Sequence, residues 1–274
     1  MNSVKFGLIA VSSLSLILTA CPGGTDAGGT TPAPIVTKYS KIGFVGLTSV
    51  GTLKVFVGAF LKVPNAISQP PTASGQALDT CNVIKIASLT QAPPLPGQDQ
   101  SVTALDAGPE LTIKKGGESL AVLKPSAEAI GGLKSYSNTP SALPDTSGAT
   151  VEIPGATGGF PAVTATLPTE LAEFTFKPVV GITKDSTFTW TAPTNEAIVT
   201  LSAGSSNGTD YTLVYCTMKD DGEFAFPAST KAEMDAKGFT TSAFSGASKG
   251  ISKFVTKDDA LLIVTASRSS TFVP

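Results

Sequence analysis

Short runs of alternating apolar and polar residues, each cut off by Gly or Pro, constrain this chain more than any other feature. The stretch 186–191 shows the pattern: Phe188 and Trp190 fall on one side, Thr187, Thr189 and Thr191 on the other. A period of two marks a half-buried strand. Leu53-Lys54-Val55-Phe56-Val57 reads as a strand, and 81–89 returns to the pattern with Val83, Ile84 and Ile86 apolar. Residues 111–115 and 119–123 flank Gly116-Gly117, the signature of a tight hairpin. Further short strands are predicted at 150–153, 160–167, 173–177, 211–217, 224–226, 239–244 and 251–255, with turns at 204–209 and 219–222. Ala197, Val199 and Leu201 share one face of another strand, and 260–266 is apolar on both faces, as in a central strand. One helix is predicted over 230–237. Thr230 and Glu233 have capping-box spacing, and Gly238 can end the helix in the left-handed conformation. Pro-rich loops are read at 64–79 and 91–100. With 27 Gly and 20 Pro in 274 residues, the expectation is an all-β chain. It is divided into two β-sandwich modules, 36–178 and 179–274, with 178–183 as the crossover and the one short helix in the second.

The first 35 residues belong to neither module. Residues 6–18 are uncharged and mostly apolar, and Lys5 precedes them. A run of about 13 suits a signal peptide and falls short of the roughly 20 residues a spanning helix needs. Leu18-Thr19-Ala20-Cys21 follows. This stretch resembles the lipobox of bacterial lipoprotein precursors. The resemblance implies a signal peptide at 1–20, lipid on Cys21, and a protein held on a bacterial membrane, facing the periplasm or the exterior. The alternative is a plain secretory signal followed by an incidental cysteine. Each buried methylene of such a lipid contributes about 0.8 kcal/mol, and more than one chain makes attachment stable. No other segment is long and apolar enough to span a membrane. Residues 22–34 are rich in Gly, Thr, Pro and Ala, with Asp26 the only charge. With Cys21 they form a flexible tether over 21–35, reaching about 20 Å as a random coil.

The chain has no histidine. His-ligated zinc, copper or iron sites and Ser-His-Asp or Cys-His catalysis are thereby excluded. With Cys21 assigned to lipid, Cys81 and Cys216 remain. In an exported protein they are expected to form a disulfide, two buried thiols being the alternative. Lys5 is the only charge in 1–20, so the 19 basic and 21 acidic residues of the whole chain become a net −3 after cleavage. No nucleic-acid partner is expected. Arg268 is the only arginine, so no Arg cluster for phosphate exists.

Motifs with chemical content are few. Gly204-Ser205-Ser206-Asn207-Gly208 fits G-x-S-x-G, but no base exists for the serine, and strand-like residues follow where a helix is needed. The stretch reads as a hairpin turn. No Ser-x-x-Lys, P-loop or G-x-G-x-x-G occurs. A carboxylate-pair hydrolase has two candidate pairs, Asp106 with Glu110 and Glu170 with Glu173. Asp220, Asp221 and Glu223 form the densest acidic group and are a weak calcium candidate, set against a solvated Asp-Gly turn. No cofactor is expected.

Asp210-Tyr211-x-Leu213-x-Tyr215-Cys216 resembles the immunoglobulin F strand, although Val214 stands where the corner tyrosine belongs. The resemblance implies an Ig-like second module. Cys81 lies in the first module, so the disulfide would join the modules rather than repeat the immunoglobulin bond. Several runs resemble bacterial envelope lipoproteins: Leu105-Asp106-Ala107-Gly108-Pro109, the 187–191 strand, and Cys216 with Asp221-Gly222-Glu223-Phe224 and the helix after it. That resemblance implies tandem β-sandwich modules on a lipid anchor and supplies no activity. The expected function is a non-catalytic structural or accessory subunit holding an envelope protein partner or surface layer at the membrane. A glycan- or small-ligand-binding module is the alternative, and it gains if Trp190 and nearby tyrosines line an exposed groove.

Overall fold

The computed structural model describes residues 39–67, 78–86, 103–126, 135–191, 197–206 and 210–270. The expected signal peptide, Cys21 and tether lie outside the described residues, as do the 91–100 loop and most of the 64–79 loop. The described chain is all-β, with sixteen strands and one helix. The strands of the first half are β1 (Tyr39–Val50), β2 (Leu53–Ile67), β3 (Thr80–Ile86), β4 (Thr103–Ala104), β5 (Leu111–Lys115), β6 (Glu118–Pro125), β7 (Ser135–Ser137), β8 (Thr150–Ile153), β9 (Val163–Thr166) and β10 (Phe176–Lys177). The second half contributes β11 (Thr187–Trp190), β12 (Ile198–Ser206), β13 (Tyr211–Lys219), β14 (Glu223–Ala225), helix α1 (Ala228–Ala236), β15 (Phe244–Lys257) and β16 (Ala260–Ser269).

Turn chemistry places the tight connections. Gly116 and Gly117 both have positive φ, +61° and +88°, as a two-residue hairpin of the favoured twist demands, and β5 and β6 leave them directly. The β15–β16 turn puts Asp258 at φ +53°, a conformation that aspartate tolerates. Asp259 in that turn accepts hydrogen bonds from the backbone N–H of Ser40 and Lys41 and from Ser40 Oγ, fixing the start of β1.

Two self-contained sandwiches are not what the pairing describes. One 13-stranded sheet runs in the order β3-β13-β12-β15-β16-β1-β2-β7-β6-β5-β8-β9, with β4 added to β2. It crosses the expected 178/179 boundary at β1–β16 and again at β3–β13. The reason lies in β16. Leu262 and Val264 project into one cluster of buried residues, and Leu261 and Ile263 into another on the opposite face. A strand apolar on both faces needs a neighbour on each edge, and β16 has β15 antiparallel on one side and β1 parallel on the other. The expectation of a central strand at 260–266 holds.

The sheet folds over at the β2-β7-β6 corner. This lays β6, β5, β8 and β9 across the inner face of β2, β1 and β16 and makes a first lobe. Its core includes Phe56, Phe60, Leu111, Val151, Phe160 and Leu262. A second lobe forms where a separate three-stranded sheet, β10-β11-β14, and α1 cover the same inner face further along, over β15, β12, β13 and β3. Phe188 and Trp190 are buried there, as the 186–191 alternation predicts. Phe176 stacks on Trp190 at 5.6 Å and on Phe188 at 5.4 Å between ring centroids.

The helix starts two residues before the predicted Thr230. Pro227 takes the N-cap position with no side-chain cap, and Thr230 is buried with Met234 against the second core. Its end is as predicted. Gly238, at φ +76°, donates to Asp235 O, and Phe239 donates to Met234 O, which returns Phe239 to the core. Phe239 is thus a core contact of the helix end, and of the predicted 239–244 strand only Phe244 belongs to β15. Of the predicted 204–209 turn, Gly204, Ser205 and Ser206 belong to β12, which ends opposite Tyr211, and the rest lies outside the described residues.

Candidate functional site

A row of cations crosses the inner face of the large sheet at the seam between the lobes. Lys54 of β2 stands opposite Ser49 of β1, Ser49 beside Arg268 of β16, and Arg268 opposite Lys249 of β15. Like charges directly opposite one another destabilise a sheet, and each cation here is matched by an acid from another segment. Lys249 Nζ meets Asp220 Oδ2 at 2.7 Å, with 3% and 0% of the two side chains exposed. Trp190 Nε1 donates to Asp220 Oδ1 at 2.9 Å. Lys54 Nζ donates to Glu170 Oε1 at 2.5 Å and to Pro144 O at 2.7 Å. Arg268 lies 3.7 Å from Glu173, which is 93% exposed.

Glu170 and Glu173 sit on the connector between β9 and β10. The acids first read as a catalytic pair are therefore used separately, one on Lys54 and one on Arg268. Glu170 Oε1 also accepts from Thr146 N and Oγ1, both at 2.5 Å. Burial pushes the Glu170 carboxyl up, but the bonds from Lys54 and Thr146 outweigh it and hold the group below its ordinary value. A carboxylate held in this way is a poor proton donor near neutrality. The second pair is divided too. Asp106 Oδ1 accepts from Tyr136 Oη at 3.0 Å and Gly108 N at 2.8 Å, whereas Glu110 is exposed. The fully buried Tyr136 shares its one proton between Asp106 Oδ1 and Gly108 O and accepts from Ala107 N, so Asp106 helps to fix a core tyrosine.

The calcium candidate is not assembled. Asp220 points inward to Lys249 and Trp190, while Asp221 and Glu223 are exposed. Among the described residues no group of three or more His, Cys, Asp or Glu is placed to hold a metal ion. Gly204, Ser205 and Ser206 of the G-x-S-x-G stretch are the last residues of β12, and Asn207 and Gly208 lie outside the described residues. Trp190, bound to Asp220 and 7% exposed, offers no platform to a glycan.

Cys81 and Cys216 are directly opposite on β3 and β13, with sulfurs 2.01 Å apart, at disulfide distance. Their Cα atoms are 4.0 Å apart, which suits the closer, non-hydrogen-bonded type of antiparallel pair. Lys237 Nζ donates to Val83 O, two residues along, so that carbonyl faces away from β13, as this pairing requires. The cysteines tie sequence from the first half of the chain to the edge of the second lobe.

Lys54, Lys249, Arg268, Thr146 and Tyr136 escaped the sequence reading. Two carried a usable signal: Lys54 is in phase with buried Phe56, and Lys249 with buried Ala247. A lysine in phase with a buried face announces a buried partner. Among the described residues no helix is long and apolar enough to cross a membrane. No family model matches the chain, no curated protein matches it, and no solved structure matches it.

Proposed function

We propose that this chain is a non-catalytic lipoprotein of a bacterial cell envelope. Cys21 carries the lipid, and the β-rich body acts as a structural or accessory subunit that holds a protein partner or surface layer near the membrane. The observation that carries the reading is Leu18-Thr19-Ala20-Cys21 after an uncharged run of signal-peptide length. The absence of histidine from the sequence and the use of Glu170, Asp220 and Asp106 as partners of structural groups support a role without catalysis. In this reading the two lobes are the sandwich-like, Ig-like modules of one ectodomain, the first covered by the folded-over end of the large sheet and the second by the three-stranded sheet.

The test is gentle detergent extraction of the native membrane, then native size analysis and mass spectrometry of the chain and its companions. The expected result is a diacylated or triacylated N-terminal Cys21 and a stoichiometric protein partner. A lone, lipidated monomer overturns the accessory-subunit reading. A chain cleaved elsewhere and unlipidated overturns the anchor.

A further inference from the structure

The sequence has three cysteines, and an exported chain with an odd number carries one thiol too many. The fold shows which bond is wanted, Cys81 with Cys216, 135 residues apart. It also shows how late the native partner of Cys81 arrives. β3 is the edge of the large sheet and pairs with β13 alone. Apart from Val83, on β3 itself, every buried residue of the second core comes from 174–247. Lys237, which donates to Val83 O, and Lys219, whose backbone N–H donates to Asp79 Oδ1, belong to the same later stretch. These seats of β3 all lie beyond residue 173.

Cys21 stands only 60 residues ahead of Cys81. A chain threaded through a membrane N-terminus first presents Cys21 and Cys81 together before Cys216 has emerged. In a complete but unfolded chain the bias has the same sign. Closure becomes rarer as the 3/2 power of loop length, so a separation of 60 against 135 favours Cys21–Cys81 by about threefold. That bond takes the half-buried Cys81 sulfur and leaves the Cys216 thiol, fully buried on β13, beyond an oxidant's reach.

We propose that lipid attachment to Cys21 precedes the oxidation of Cys81 and directs the disulfide, by capping the one competing thiol. The proposal rests on the lipoprotein reading above. The Cys21 thiolate attacks a carbon of a membrane phospholipid. An S–C bond forms, a C–O bond breaks, the phosphorylated headgroup leaves with the electron pair, and the thiol proton goes to solvent. The thioether can neither attack nor be attacked in thiol–disulfide exchange. The Cys81 thiolate then attacks a disulfide donor, giving a mixed disulfide and one donor thiol. The Cys216 thiolate attacks the Cys81 sulfur, forms the native bond and releases the second donor thiol. Two electrons pass from the cysteines to the donor, and two protons go with them.

The test starts from the full, unlipidated chain, reduced and denatured, then diluted into oxidised and reduced glutathione. Samples are quenched over time with an alkylating agent and mapped by mass spectrometry beside a Cys21→Ser chain. Early samples of the parent chain are expected to hold Cys21–Cys81 over Cys81–Cys216 by about threefold, whereas the Cys21→Ser chain goes straight to Cys81–Cys216. The order is read by export into a periplasm that lacks disulfide isomerase. Behind a plain secretory signal without the lipobox, the chain is expected to carry Cys21–Cys81; behind its own leader, only Cys81–Cys216. Early refolding samples without Cys21–Cys81, or an unlipidated export that pairs only Cys81 with Cys216, overturn the proposal and leave the anchor untouched. A chain behind its own leader whose intact mass shows no lipid overturns the anchor reading, and the proposed order with it.

Discussion

Replacing Lys249 by methionine takes away the cation 2.7 Å from Asp220, in a place where none of the Asp220 side chain reaches water. At 2.7 Å and an effective dielectric of about 20, the pair attracts by about 6 kcal/mol. Desolvating the two ions costs several kcal/mol each, so most of that attraction is offset. Removing one partner alone keeps the desolvation cost and loses the compensation, which predicts a loss of about 3–5 kcal/mol for Lys249→Met. Asp220→Asn should cost about as much, because its oxygen still serves Trp190 Nε1 while the buried Lys249 loses the carboxylate 2.7 Å away. The double variant keeps the indole bond and carries no buried charge, so it should lose under about 2 kcal/mol. Urea unfolding at neutral pH measures all three, with circular dichroism for the sheet and the fluorescence of Trp190, the only tryptophan, for the second lobe. The reasoning is refuted if each single variant loses under about 1 kcal/mol, the range of a surface pair. It is equally refuted if the double variant's loss equals the sum of the singles within about 0.5 kcal/mol.

Glu170, whose folded value is lowered, contributes stability that is present above its ordinary 4.5 and is lost as pH falls through the lower folded value. Glu170→Gln should therefore be less stable than the wild type at pH 7 and converge with it in strong acid, as read by urea midpoints across pH. Peptide mapping without reductant should yield a species linking Cys81 and Cys216, and the double alanine variant should lose up to about 5 kcal/mol in the chain-entropy account. Separate cysteine peptides in that map would sink the pairing. A Cβ at Gly43 would stand 2.7 Å from Phe160 and 2.9 Å from Phe60, both rings in the first core. Gly43→Val should then cost about 1–3 kcal/mol by overpacking, and Phe160→Leu should recover part of it in a thermal melt.

Strand faces were legible in the sequence; strand partners were not. The alternation at Thr187–Trp190 gives the buried side of β11, and Gly116-Gly117 gives a hairpin, because both depend on neighbours in the chain. The meeting of β1 with β16 depends on residues some 219 positions apart, and a period of two says nothing about which edge a strand will find. The same limit hid the seam. Asp220 and Asp221 look alike in Asp-Asp-Gly-Glu, and only the fold turns one toward Lys249 and leaves the other in water. Tyr215 and Cys216 are likewise adjacent, yet one faces outward and the other lies in the second core. The lysines in phase with buried residues were the readable part of the site, masked by the habit of counting lysine as surface.

The position of β1 has a mechanical consequence. Any pull on the chain ahead of Tyr39 reaches a strand held along both edges, by β2 through pairs from Tyr39 to Val50 and by β16 through pairs from Lys41 to Ser49. A force directed along the axis of β1 loads both edges in shear, so many hydrogen bonds must yield together, whereas a strand peeled from an edge gives them up one at a time. Forced unfolding is governed by the unfolding rate rather than by equilibrium stability. Resistance to traction is thus set by this central trio, and it collapses if the final strand is cut away, although the point of pulling lies at the other end of the chain.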